Sequence, residues 1–242
     1  MTLIMAYSYD TDSTVFVNDF RTTTLPGLQQ ADNAFKFISI GKPMGNSLGL
    51  FLAGNVDGWN KILERVAPLL KESTNGNFIE GFRDILLDYA LSQTPILDVG
   101  TRLSALGFIF EEDCSSNKPF HIDYIQGKGT TIEELEKEKV YLIGSGAGIV
   151  GLSKHLNNAM FNYISNSNRP SHQKEPYLVA NVFERFLSTY IENLNDPSIY
   201  ERKGISNVFG YGFVKQSYFE ICSYTEKKYT ELGTKSNLCH GT

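Results

Sequence analysis

Side chains on an extended chain alternate between two faces, and the start of this sequence follows that period closely. Leu3, Met5, Tyr7 and Tyr9 fall on one side. After the polar tract Asp10, Thr11, Asp12 and Ser13, Val15 and Val17 alternate with Phe16 and Asn18. Two such runs around a short polar tract predict a hairpin beginning at the N-terminus. Phe37 to Ile40 supplies a third extended run, so the first 40 residues organise the rest of the chain.

Thr2 lies directly behind Met1. Methionine aminopeptidases remove Met when the next side chain is small, which would leave a threonine as the first residue. Such a residue carries a hydroxyl nucleophile and its own base, an α-amine whose ordinary pKa is about 8. A lysine ammonium nearby would favour the neutral amine, and a buried carboxylate would offset the cost of burying that lysine.

The spacing from Thr2 to Asp19-Phe20-Arg21-Thr22-Thr23 and on to Lys36-Phe37-Ile38-Ser39-Ile40 resembles the start of proteasome β-type subunits and their bacterial HslV-like relatives. In that family the first strand opens on a nucleophilic threonine, the second ends in Asp-x-Arg-x-Thr, and a lysine precedes an apolar strand. The resemblance implies that Thr2 is the nucleophile and that Asp19 and Lys36 are its buried charged partners. It also implies that the Thr23 backbone pairs with an extended substrate.

Further along, residues 24–27 form a turn, residues 28–34 a loop or short helical turn, and residues 41–46 a second turn cluster. Leu48 to Ala53 reads as a short strand ending at Gly54. Trp59, Ile62, Leu63, Val66, Leu69 and Leu70 recur at helical spacing, which predicts a helix over 57–70 capped by Asn55 or Asp57 and weakened near its end by Pro68. A linker at 73–77 precedes a second helix over 78–91, and Pro95 closes that region. Strands are predicted over 104–111 and 118–126 around a turn at 113–117, with Phe120, Ile122 and Tyr124 on one face and His121 and Asp123 on the other. His121 with Asp123 is a weak acid–base motif, since alternate residues on a strand share a face without needing a substrate.

Val140 to Ile143 runs as a strand into Gly144-Ser145-Gly146-Ala147-Gly148, followed by a helical pattern over 148–163. The glycine order does not fit a dinucleotide turn, and no phosphate-binding lysine follows. A polar loop over 165–174 leads to a helix from Pro176 through 194, and the last strands fall near 205–214 and 218–224. Two antiparallel sheets with a helix pair on each outer face give an α+β, four-layer αββα sandwich, the fold of N-terminal-nucleophile (Ntn) hydrolases. Residues 1–242 are expected to form one domain, with the tail after about 225 irregular.

Three further segments extend the resemblance. Ala53-Gly54 matches the pair whose glycine N–H helps form the family's oxyanion hole, although Asp57 comes one residue early and Val56 is bulkier than the usual alanine. Ser145 matches the serine that organises the threonine amine and the catalytic water. Asp196 matches an Asp that contacts the active site, while Ser198 falls one residue too early for the commoner pattern. The implied catalytic set is therefore Thr2, Asp19, Lys36, Gly54, Ser145 and Asp196, with no metal or organic cofactor.

Composition bounds the remaining choices. With 242 residues, 41% hydrophobic and including 16 Phe and 13 Tyr, the chain can bury a sizeable core. A charged fraction of 20% is low for a free-standing surface and points to contacts with other subunits. The net charge of −5 and the lack of a Lys/Arg block argue against nucleic acid. Cys114, Cys222 and Cys239 are too scattered for a disulfide framework or a zinc site, even with His240 beside Cys239. No signal peptide and no apolar run of roughly 20 residues is present, so a cytoplasmic protein without membrane contact is expected.

Two main readings stay open: a threonine peptidase of a self-compartmentalising protease, and a non-catalytic proteasome-like structural or assembly subunit. A small-molecule Ntn amidase is weaker, because those families more often begin with Cys or Ser. The resemblance implies peptide or unfolded-protein substrates, a closed homo-oligomer of one or two rings of six or seven subunits, and an unfoldase partner.

Overall fold

The computed structural model describes residues 2–10, 12–24, 29–32, 36–41, 47–72, 78–92, 102–110, 117–125, 129–166, 170, 174–196, 198–206, 209–215, 218–225, 228–230 and 236–237. Met1, Pro95, Cys114, Cys239, His240 and the turns expected at 25–27, 42–46, 73–77 and 113–116 lie outside the described residues.

The expected hairpin is the centre of the first sheet. Strands β1 (Ile4–Asp10) and β2 (Ser13–Asp19) pair antiparallel, with Tyr7 opposite Val15 and Met5 opposite Val17. β3 (Arg21–Thr24) and β4 (Gln29–Asp32) form a separate two-stranded ladder. This replaces the loop or helical turn expected at 28–34: Gln29 to Asp32 have no apolar alternation, and cross-strand pairing alone makes them a strand. Thr23 stands opposite Gln30 in that ladder, where β4 takes one of the two edges of β3.

β5 (Phe37–Gly41) and β6 (Ser47–Gly54) open the second sheet, and helices α1 (Val56–Glu72) and α2 (Phe78–Ser92) follow. Asn55 caps α1, its Oδ1 accepting the Gly58 N–H at 3.0 Å. Pro68 does not end the helix, because it stands on the exposed face, where water can serve the freed carbonyl. β7 (Arg102–Phe110), β8 (Asn117–Ile125) and β9 (Gly129–Glu134) complete this sheet in the order β5-β6-β7-β8-β9. β9 escaped the sequence reading because Ile132 is its sole apolar residue.

β10 (Val140–Ile143) returns to β1, followed by a 3-10 turn over Ser145–Gly148 and helix α3 (Leu152–Asn166). The expected helix over 148–163 is thus displaced toward the C-terminus. Gly144 and Gly151 hold φ of +84° and +78°, and neither conformation can be helical. Helix α4 (Pro176–Asn193) begins with Pro176 in its first turn, as expected. A five-residue helix α5 (Ile199–Lys203), not foreseen, precedes β11 (Phe209–Lys215) and β12 (Tyr218–Thr225). The tail is not wholly irregular, since β13 (Lys228–Thr230) and β14 (Ser236–Asn237) both pair with β12. The first sheet therefore runs β10-β1-β2-β11-β12-β13, with β14 beside β12.

Strand alternation divides the core in two at every inner strand. Leu3, Met5, Tyr7, Tyr9, Val15 and Val17 pack under α3 and α4 with Leu156, Met160, Phe183 and Leu187. Ile4, Ala6 and Phe16 point the other way, against Phe51, Leu106 and Phe108 of the second sheet. The Phe16 and Phe51 rings stack there at 4.8 Å. The far side of the second sheet holds Leu50, Leu103, Phe120 and Ile122 under Trp59, Ile62, Phe82 and Leu86 of α1 and α2. Each such side chain contributes roughly 1.5–3 kcal/mol on leaving water. The two helix pairs thus cover opposite faces of an αββα sandwich.

Candidate active site

Thr2 precedes β1 and is held by both its neighbours in the sheet, β2 and the turn after β10. On one side stands Asp19, the last residue of β2, fully buried. The Thr2 hydroxyl donates to Asp19 Oδ1 at 2.7 Å. The Leu3 N–H and the Lys36 ammonium donate to the same oxygen at 2.8 and 2.5 Å. The other oxygen, Oδ2, accepts the Arg21 and Ser206 N–H groups, each at 3.1 Å. Lys36 also donates to the Asp19 carbonyl at 3.1 Å. An ion pair this dry is held by complete hydrogen bonding, because an unpaired charge in its place would be costly.

On the other side, the Thr2 N–H donates to Ser145 Oγ at 3.0 Å. The Ser145 hydroxyl donates in turn to the Lys203 carbonyl at 2.5 Å, with the Thr2 carbonyl a longer 3.2 Å away. The Ser145 proton is thereby directed to Lys203, and its oxygen is left as an acceptor for Thr2. The Gly146 N–H donates to the Thr2 carbonyl at 3.1 Å. Both glycines around Ser145 are sterically required. A Cβ on Gly144 would strike the Thr2 carbonyl, and one on Gly146 would come within 2.7 Å of Leu3 Cβ.

Gly54 ends β6 with φ of +109°, and a Cβ there would collide with the Arg102 carbonyl. Leu52, two residues earlier, donates its N–H to the Lys36 carbonyl at 2.9 Å. That bond ties the Gly54 end of β6 to the segment that carries Lys36. Trp59 Nε1 fixes the same end from α1, donating to the Ala53 carbonyl at 2.9 Å.

Asp196 is engaged elsewhere. Its Oδ1 accepts the Ser198 hydroxyl at 2.6 Å and the Ser198 N–H at 3.1 Å, and its Oδ2 accepts Arg202. The Ser198 hydroxyl bond, foremost, holds the Asp196 carboxyl below the usual range. These bonds tie Asp196 to Ser198, just before α5, and to Arg202 within it, and no hydrogen bond joins Asp196 to Thr2. In the Asp19 shell stands Ser206, which the sequence reading missed. It sends its N–H to Asp19 and accepts the Phe20 N–H on Oγ at 3.1 Å. No local pattern marks it, since its partner lies 187 residues away.

His121 and Asp123 face the gap between the sheets, away from these groups. Asp123 accepts Arg102 through both oxygens at 2.7 and 2.8 Å and Ser104 at 2.7 Å. Burial raises the Asp123 carboxyl, but these bonds outweigh it and hold the group below its ordinary range. Burial pushes the His121 imidazole down, against the neighbouring Asp123 and Glu133 charges. Among the described residues, no group of three or more His, Cys, Asp or Glu side chains converges as a metal site. No helix among them is long and apolar enough to cross a membrane.

Two antiparallel sheets between two helix layers, with a threonine leading an inner strand, define the Ntn-hydrolase sandwich. Solved structures of proteasome-like subunits share this fold. The Anbu complex of Pseudomonas aeruginosa, described as a helical assembly, matches with a TM-score of 0.59 at 14% identity, over 94% of this chain and 88% of that one. HslV from Trypanosoma brucei matches at 0.53 and 15% identity, over 88% and 99%. BPH from Thiobacillus denitrificans, in complex with epoxomicin, matches at 0.51 and 16%, over 89% and 100%. At these identities the likeness is one of fold. No family model and no curated protein matches the sequence.

Proposed function

We propose that, once Met1 is removed, the chain is a threonine-type Ntn hydrolase acting on peptide bonds. The observation that carries this reading is the placement of Thr2, its hydroxyl on the Asp19–Lys36 pair and its nitrogen on Ser145. Thr2 Oγ1 attacks the scissile carbonyl and its proton passes to the free Thr2 amine. The Gly54 N–H steadies the oxyanion, the C–N bond breaks, and the leaving amine takes that proton. Water then hydrolyses the Thr2 ester by the same route, releasing an acid. Lys36 favours the neutral amine and Asp19 holds Lys36, while Ser145 orients the amine through its N–H.

A second reading, a non-catalytic subunit, draws support from Asp196, which is committed to α5, and from Thr2 being only 4% exposed. Intact-mass analysis of native material after treatment with a peptide epoxyketone separates the two. Loss of Met1 and a covalent adduct on Thr2 are expected; a retained Met1 with no adduct would leave the scaffold reading.

The substrates are proposed to be peptides or unfolded proteins in the cytoplasm, delivered by an unfoldase to a closed homo-oligomeric ring of single-domain subunits. A head-to-tail contact closes into a ring or runs on as a helix according to its rotation. Light scattering with electron microscopy decides between ring and filament, and a mass of one or two chains removes both.

A further inference from the structure

A cavity of about 520 Å³ is lined in part by Lys203, the residue whose carbonyl accepts the Ser145 hydroxyl. Its apolar wall comprises Ile149, Val150, Leu194 and Ile199, and its polar rim carries Asp196, Arg202 and Lys203. The charges on that rim do not cancel. Arg202 is spent on Asp196. The Lys203 ammonium reaches the Gly148 carbonyl at 3.4 Å, the long limit of a hydrogen bond, and among the described residues no carboxylate pairs with it. Counted over the lining residues, the site offers a net single positive charge at the mouth of an apolar cleft of ligand-binding size. Val150 is 89% exposed beside it.

From this complementarity we infer that the cleft binds the C-terminal end of a peptide, its free carboxylate on Lys203 Nζ and an apolar last side chain against Ile149, Val150 and Ile199. An anion with several charges would find one cation, and a neutral apolar ligand would leave that cation unused. The choice of a peptide as the source of the carboxylate rests on the proposed peptidase reading, whose products are peptides with new carboxylates. The site itself does not rest on it. Lys203 joins the two places, because its carbonyl holds Ser145 while its side chain closes the cleft.

The test is calorimetric titration of the full-length chain, wild type and Thr2→Ala, with N-acetyl-Ala-Leu as the free acid, as its C-terminal amide, and with octanoate. The acid is expected to bind at least tenfold more tightly than the amide, equally in both chains. Lys203→Met, which keeps the backbone carbonyl, should bring acid and amide within twofold, and Val150→Asp at its exposed position should weaken the acid at least tenfold. Equal binding of acid and amide, or an unchanged preference in Lys203→Met, overturns the inference. Octanoate binding more tightly than the peptide acid overturns the peptide as occupant. Because Thr2→Ala retains the cleft, failure of the threonine chemistry leaves this result readable.

Discussion

Ser145 accepts the Thr2 N–H at 3.0 Å across a sequence separation of 143 residues. The bond closes the first sheet around its N-terminal residue, since β10 pairs with β1 and ends in the turn that carries Ser145. The same turn therefore decides where the Thr2 nitrogen points.

Removing that hydroxyl tests its orienting role. On the proposed threonine-peptidase reading, Ser145→Ala lowers kcat/KM of the processed protein about tenfold to a hundredfold, as an acid–base group loses its aim. Ser145→Thr, which keeps an acceptor, should recover part of the loss. Steady-state peptide hydrolysis measures both.

Breaking the buried ion pair should cost stability as well as activity. Asp19→Asn leaves Lys36, 10% exposed, without its anion, and should destabilise the fold by about 3 kcal/mol. Urea denaturation gives the number, and a change below about 1 kcal/mol would show that the pair is not sustaining the site.

Gly144 and Gly129 separate steric contact from backbone conformation. Both have positive φ, +84° and +111°, but a Cβ on Gly129 meets nothing within 4 Å, whereas one on Gly144 meets Thr2. Gly129→Ala should cost about 1 kcal/mol and Gly144→Ala at least about 2 kcal/mol, with loss of activity in the second alone. Equal melting shifts would contradict the contact.

The Tyr7 hydroxyl is buried without a hydrogen-bond partner among the described residues, and burial, first, with the Glu138 charge pushes its pKa to about 12. Its ring packs 6.1 Å from that of Phe183. Tyr7→Phe keeps this packing and removes the unpaired group, so a gain of about 1 kcal/mol is expected by thermal unfolding.

Stability should also fall with acidification through His121. Its folded pKa is depressed, so below the unfolded value of about 6.5 the unfolded chain binds a proton that the folded one does not. The loss begins near that value as pH falls and levels off once the folded imidazole is protonated. In His121→Gln the slope just below about pH 6.5 should flatten, as read from denaturation midpoints across pH.

Period and turn chemistry are local properties, and they were enough for the hairpin, both helix pairs and the layer order. The alternation of Leu3, Met5 and Tyr7 against Ile4 and Ala6 fixes which side chains meet α3 and α4 and which meet the second sheet. Helical stripes such as Val179, Phe183, Leu187 and Ile191 must be buried somewhere, so their layers follow as well. The sequence also singled out Thr2, Asp19, Lys36 and Ser145, which the fold brings together. What it lacked were pairings that depend on a distant partner. Residues of β4 and β9 become strands because a neighbour offers hydrogen bonds, whatever their own pattern. Ser206 stayed hidden for the same reason: Asp196 finds its donors close by in Ser198 and Arg202, while Ser206 finds Asp19 from across the chain. Local preference is written in neighbouring residues, but the satisfaction of a buried carboxylate depends on every donor that packing brings to it.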